Sequence, residues 1–356
     1  MNFEVIEHKP LLKYSFEPLR CRVLSLGTGM RRREFLGLVG GAVAAWPVVA
    51  SAQQRISVIG YPNRPIRLIV PFPAGGAADV TARIVTQALS EVLGQPLFVD
   101  NRGGADGAIA GNVVKTAAPD GYTLLFATTT GLNAAPTLRK EPPYDPITAF
   151  TPISMVGKFG FFLFVHESLP AKTVSEFLNY VRANPGKVNY ATGNGTSVLA
   201  TAQLALAEKL DMQQIPYKGD APATADLIAG RVQVMIGTPG SAMPQVQEGR
   251  LRVLATLLSR RSPLAPDSPT TAEIGLNGLT ITPWAGLFGP ANLPKEVVDR
   301  VAEAMKVISS RQDVRGSLDK IAFELQSSSP KEMATLLKDQ LEVWRRTVQE
   351  IGIERN

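Results

Sequence analysis

The sequence predicts an α/β protein. Short β-branched runs alternate with helical patterns, the strands end in polar turns that carry glycine, and the C-terminal part is helical. At 356 residues, with 45% apolar and 19% charged side chains, the chain is long enough for the cores of two domains. Strands are expected at "IRLIVPF" from Ile66, "LFVDN" from Leu97, "YTLLFATT" from Tyr122, "KVNYATG" from Lys187, "VQVMIG" from Val232 and "LRVLATL" from Leu251. Between the first two, Val80, Ile84, Ala88 and Val92 recur at helical spacing, with Val85 and Leu89 widening the stripe. "TVSEFLNYVRANPG" and "SVLATAQLALAEKL" read the same way. Near the end, Val297, Val301, Met305 and Ile308 share one helical face, and a long amphipathic segment runs over 330–351.

The N-terminal segment has a different character. From Met30, "MRRREFLGLVGGAVAAWPVVASAQQ" joins a basic cluster, a short apolar stretch and a small-residue cleavage site, which predicts export to the periplasm with cleavage near Ala52. "RRREFLG" resembles the twin-arginine motif, and an ordinary secretory signal is the alternative. Residues 1–29 are then an upstream leader or an over-called start. Gln53 follows the expected cut, so a lipid anchor is not expected, and the single cysteine, Cys21, lies upstream of it. No segment has the length and apolarity of a membrane span.

Charge excludes little and suggests little. Residues 1–52 hold seven of the 37 Lys/Arg and four of the 31 Asp/Glu, so the remainder carries about +3. With basic residues scattered and aromatics at 7%, no nucleic-acid partner is expected.

The turns carry the functional signal. In "PFPAGGAADVTAR", residues 71–83, a strand ends in a turn with Gly75 and Gly76 and runs into a helix start. The first N–H groups of a helix lack intrahelical acceptors and lie at the positive end of its dipole, so such a start suits an anion. Asp79 reads as a cap or first-turn residue, or as an acceptor for a ligand's donor group. The lysine of a P-loop is absent. "YATGNGTSVLATAQLALAEKL", residues 190–210, repeats the strand, glycine turn and helix start, with Thr196 and Ser197 as caps or hydroxyl donors. Val198 replaces the third glycine of a dinucleotide fingerprint, so no NAD is inferred. "ATTTGLN" clusters hydroxyls after a strand, and in "IPYKGDAPATADLIAG" Tyr217 to Gly219 precede another helix. Four polar turns at strand ends predict a crevice at the carboxyl edge of open sheets.

In this order, several stretches resemble the extracytoplasmic solute receptors of tripartite tricarboxylate transporters, the group known from Bordetella uptake proteins. They are "YPNRPIRLIVPFPAGGAADVTAR", "VDNRGGADGAIAGNVVKTAAPDGYTLLFATT", "YDPITAFTPIS", "IPYKGDAPATADLIAGRVQVMI" and "SPLAPDSPTTAEIGL". The resemblance runs from about Tyr61 to Ile351. It implies a type II periplasmic-binding-protein fold: two α/β lobes, each a mixed, mostly parallel sheet flanked by helices, with a double crossover between them. Lobe 1 would comprise 55–155 plus 280–356, and lobe 2 would comprise 156–279. A small organic carboxylate would be held by Phe72, Ala74, Gly75, Gly76 and Asp79, by Thr128 and Thr129, and from the second lobe by Gly195, Thr196, Ser197 and Tyr217. The implied role is a monomeric receptor, without cofactor or metal, that serves the integral membrane subunits of such a transporter. Many relatives have a histidine where this chain has Leu199, which would make the pocket less polar or differently shaped.

Two other readings compete. A sensor of the same fold would signal to a membrane regulator. An exported hydrolase would need a base beside its nucleophile, yet the only histidine after the expected cut is His166, at the end of an apolar run. No G-x-S-x-G elbow surrounds Ser197 and no zinc-binding spacing occurs, so the chain is read as a non-enzyme.

Overall fold

The structure, a computed structural model, describes residues 60–352 except 277, 280 and 282. The expected export signal and upstream leader lie outside the described residues. In chain order the strands are β1 (Ile66–Val70), β2 (Leu97–Asn101), β3 (Thr123–Thr128), β4 (Phe150–Phe159), β5 (Phe162–His166), β6 (Val188–Thr192), β7 (Met212–Pro216), β8 (Val234–Gly237), β9 (Leu251–Thr256), β10 (Trp284–Pro290) and β11 (Phe323–Leu325). The α-helices of five residues or more are α1 (Ala77–Leu93), α2 (Ala108–Lys115), α3 (Val174–Ala183), α4 (Gly195–Glu208), α5 (Asp220–Ile228), α6 (Met243–Gln247), α7 (Lys295–Ser309), α8 (Gln312–Asp319) and α9 (Pro330–Ile351).

The strands form two sheets, in the orders β11-β4-β10-β3-β1-β2 and β7-β6-β8-β5-β9. The chain leaves the first sheet at Phe159, enters the second at Phe162, and returns between Thr256 and Trp284. Each sheet is mixed. The β-α-β units pair in parallel, β1 with β2 and β3, and β6 with β7 and β8. The strands at the crossings run the other way: β10 is antiparallel to β3 and β4, and β5 to β8 and β9. A strand that enters directly from the opposite lobe has no crossover helix to turn it round, so it lies antiparallel to its neighbours.

Both faces of the first sheet are covered, as period-two alternation along its strands requires. Ile66, Leu68 and Val70 share one core with Val85 and Leu89 of α1, Val297 and Val301 of α7, and Leu318 of α8. Ile69 points into the other core, with Val114 of α2 and Met333, Leu337 and Leu341 of α9. The second sheet divides likewise, Leu163 and Val165 on one side and Phe162 and Phe164 on the other. A fifth apolar cluster joins the lobes. Leu199 of α4 and Trp344 of α9, both fully buried, meet Ala134, Ile281 and Val348. Beside them Gln203 Nε2 donates to Thr347 Oγ1 at 3.1 Å, and Ile281 N donates to Gln203 Oε1 at 3.3 Å.

Candidate functional site

The carboxyl ends of β1, β3, β6 and β8 and the passages between the sheets surround one cavity of about 510 Å³. Three helices, α1, α4 and α5, begin on its wall. From the first lobe it is lined by the 72–78 turn and Thr128, Thr129 and Thr130; from the second, by Asn194, Thr196, Lys218, Asp220, Thr238 and Ser241, among others. Phe159, Phe161 and Trp284, at the crossings, supply aromatic wall.

The turn after β1 is built to leave helix-start amides uncovered. Gly75 sits at φ 84°, the left-handed region where a Cβ is disfavoured, and bends the chain into α1. The cap position is Gly76, which has no side chain to bond the first helical N–H groups. Asp79 does not cover them either. Its Oδ2 accepts from Gly75 N at 2.9 Å and Arg83 Nε at 3.0 Å, and its Oδ1 from Asn101 Nδ2 at 2.9 Å. Burial pushes the Asp79 pKa up, but the bonds from Arg83, Gly75 and Asn101 outweigh burial and hold it below the usual carboxylate range. Asn101 Nδ2 also donates to Phe72 O at 3.0 Å, which ties the turn to β2.

Beyond β3, three consecutive threonines have three fates. Thr129 Oγ1 accepts from Trp284 N at 2.8 Å, and Thr130 Oγ1 meets Thr196 Oγ1 of the other lobe at 3.1 Å. Thr128 Oγ1 is buried with no hydrogen-bond partner among the described residues. A buried hydroxyl on a cavity wall without a protein partner is a group suited to a ligand or a water.

Across the cavity, α4 caps itself. Asn194 Oδ1 accepts from Ser197 N at 3.0 Å, while Ser197 Oγ accepts from Asn194 N at 3.1 Å and donates to Asn194 O at 2.7 Å, a reciprocal capping box. Gly195 is required by close approach, since a Cβ there would lie 2.5 Å from Ala134 Cβ of the first lobe. Asp220, the first residue of α5, accepts from Asn194 Nδ2 at 3.0 Å, Thr238 N at 3.1 Å and Thr238 Oγ1 at 2.6 Å. Burial pushes its pKa up, against the pull of those donors.

Seven residues singled out in the sequence line the cavity: Phe72, Ala74, Gly75, Gly76, Thr128, Thr129 and Thr196. Asp79, Gly195, Ser197 and Tyr217 do not, being committed to the turn, the lobe contact, the cap and a separate pair. Tyr217 OH donates to Asp226 Oδ2 at 2.8 Å, and burial together with that bond pushes its pKa up to about 12. Leu199 also lies off the cavity, inside the cluster that joins the lobes, so it does not set the polarity of the wall. Asn194, Thr130, Lys218, Asp220, Thr238, Ser241 and the aromatic residues were not singled out. Asn194 and Asp220 had a readable signal, because each opens a helix after a glycine turn as Asp79 nearly does. Phe159 and Phe161 lie more than 120 positions from Trp284 in sequence, and the three belong to no motif.

His166 Nδ1 lies 2.7 Å from Ser168 Oγ, but the pair forms a local exposed turn away from the cavity, in which Ser168 N also donates to Nδ1. Among the described residues no group of three His, Cys, Asp or Glu is placed to hold a metal ion, and no helix is long and apolar enough to cross a membrane.

Comparison with known proteins agrees with this architecture. The family model for the "Tripartite tricarboxylate transporter family receptor" matches residues 81–353. Protein BugT of Bordetella pertussis is 32% identical over 336 residues, covering 91% of this chain and 99% of that protein. The solved structure of the periplasmic binding protein BugD superposes with a TM-score of 0.73 at 31% identity, covering 83% of this chain and all of the other. R. palustris Rpa4515 with adipate gives 0.75 at 30% identity, covering 83% and 99%. These relatives span the two-lobed region almost end to end, and the expected type II periplasmic-binding-protein fold is the one observed. With a family model matched over residues 81–353 and a BugT relative alike over nearly its whole length, the chain belongs to the tripartite tricarboxylate transporter receptor family, a family of solute-binding receptors.

Proposed function

We propose that this protein captures a small organic carboxylate between its lobes and delivers it to the integral membrane subunits of a tripartite tricarboxylate-type transporter, working in the periplasm after export and signal cleavage near Ala52. The observation that carries this reading is the start of α1: uncapped amides at Gly76 to Ala78 open on the inter-lobe cavity beside the unpartnered Thr128 hydroxyl. A carboxylate there would accept from helix-start N–H groups at the positive end of the dipole. The adipate held by Rpa4515, a relative of the same fold, supports that class of ligand. Among the sequence-expected contacts, Phe72, Ala74, Gly75, Gly76, Thr128, Thr129 and Thr196 are proposed to touch the ligand, with Asp79, Gly195, Ser197 and Tyr217 shaping the wall behind them. Closure of the lobes serves transport because a membrane partner can then distinguish the liganded form from the open one.

Gly76→Val tests the reading. Gly76 has φ −76°, which any residue adopts, and an added Cβ would meet only Pro73 O, at 3.5 Å, so the fold should survive. In a thermal-shift and calorimetric screen of small carboxylates, ligands that stabilise the wild type should lose that effect in Gly76→Val while circular dichroism stays unchanged. Mass spectrometry of the incubated ligand should show no turnover. Unchanged affinity in the variant would refute the placement of the carboxylate.

A further inference from the structure

Two aspartates stand near helix starts around the cavity, and their surroundings differ. Asp79 does not line the cavity and is paired with Arg83 at 3.0 Å. Asp220 lines the cavity, and among the described residues no cation lies within ion-pair distance of it. Its three donors, Asn194 Nδ2, Thr238 N and Thr238 Oγ1, belong to residues that also line the cavity. The second lobe's own carboxylate therefore occupies groups that would otherwise serve a ligand anion. The α4 start beside it is already closed by its capping box.

The cavity thus has unlike ends. The α1 start on the first lobe offers donors, while the second lobe presents a carboxylate whose oxygens, with three donors aimed at them, act as acceptors. Both Asp220 oxygens accept from donors, which favours the ionised form against the burial that pushes its pKa up, so a second ionised carboxylate near it would meet like-charge repulsion in a site partly shielded from water. An ammonium, amide or hydroxyl would find an acceptor. Lys218 also lines the cavity, but its side chain is exposed and makes no ion pair with Asp220.

We propose that Asp220 is a specificity-determining residue that selects carboxylates whose far end donates hydrogen bonds and rejects dicarboxylates of the same length. This rests on the carboxylate-receptor reading above. The test is calorimetry of the purified chain at pH 7 with matched probes at two lengths: 4-aminobutyrate against succinate, and 6-aminohexanoate against adipate. The amino-ended probe should bind at least about tenfold tighter than its diacid, about 1.4 kcal/mol. Asp220→Asn and Asp220→Ser should each cut that ratio at least about tenfold, chiefly by tightening diacid binding. The Ser variant keeps the test open if the amide disturbs the fold. Diacid binding equal to or tighter than that of the amino acid in the wild type overturns the proposal. Loss of that diacid binding in Lys218→Met would assign the selection to Lys218 instead. If the diacid binding is lost in Gly76→Val, the receptor reading stands while this one falls. Failure of all four probes to bind while another acid of the carboxylate screen binds overturns this proposal and leaves the receptor reading standing, and failure of every acid in the screen overturns both.

Discussion

At the scale of single residues, the same side chain type serves opposite ends according to its partners. Asp79 is 2% exposed and satisfied by a backbone N–H, an amide and a guanidinium, so its charge is a structural part of the turn. Because its folded-state pKa is depressed, the stability it contributes is complete above the unfolded value, about 3.9, and is lost as pH falls through the folded one. Asp79→Ala should therefore be about 2 kcal/mol less stable at pH 7, through loss of the hydrogen bonds that a buried carboxylate accepts from Gly75, Arg83 and Asn101. That deficit should narrow on acidification below about pH 4, where the wild type loses the same carboxylate. Urea unfolding at both pH values checks it, and a deficit independent of pH would contradict it. The sequence marked Asp79 as special but left open whether it capped a helix or met a ligand. Its partner Asn101 lies 22 positions away, on β2, and only the parallel pairing of β1 with β2 brings it near.

At the scale of elements, the three helix starts around the cavity look alike in sequence and differ in finish. The α1 start has a glycine cap and no side-chain bond, and α5 likewise begins after Gly219 without one. The α4 start spends both Asn194 and Ser197 on its own backbone. Ser197→Ala should then lower stability by about 1 kcal/mol through loss of the hydroxyl's half of the capping box and change ligand affinity less than about twofold. Thermal unfolding and calorimetry on the same variant separate the two effects, and a tenfold loss of affinity with unchanged stability would place Ser197 on the ligand. The elements themselves were largely legible. Each strand read from the sequence forms, because alternating β-branched runs bounded by glycine leave few other solutions. The strands left unread, β4, β5, β7, β10 and β11, include those at the crossings between sheets, where local pattern says little about pairing. Their antiparallel direction makes both sheets less parallel than the alternation suggested.

At the scale of the molecule, the lobes are joined by two chain passages, by the Thr130–Thr196 contact and by the cluster around Leu199 and Trp344. The cluster and the Gln203–Thr347 bond bind α4 of one lobe to α9 of the other, so relative motion should pivot about this packed side while the cavity walls separate. Small-angle scattering should show a smaller radius of gyration when the tightest carboxylate from the screen is added, and no contraction in Gly76→Val. An identical radius with and without a saturating ligand would argue against closure as the signal to a membrane partner.

The sequence by itself determined the α/β class, most of the strands, the glycine turns and the identity of the family, because these depend on local periodicity, turn chemistry and the order of short motifs. It also marked seven residues that line the cavity. Only the tertiary structure decided which polar groups in those turns are spent and which are left for a ligand. Which groups are spent depends on what packing brings together: Asn101 reaches Asp79 from β2, Asn194 and Thr238 reach Asp220 on the cavity wall, and apolar burial places Leu199 between the lobes, whereas the Ser197 capping box and the Tyr217–Asp226 pair form over three and nine positions of the chain.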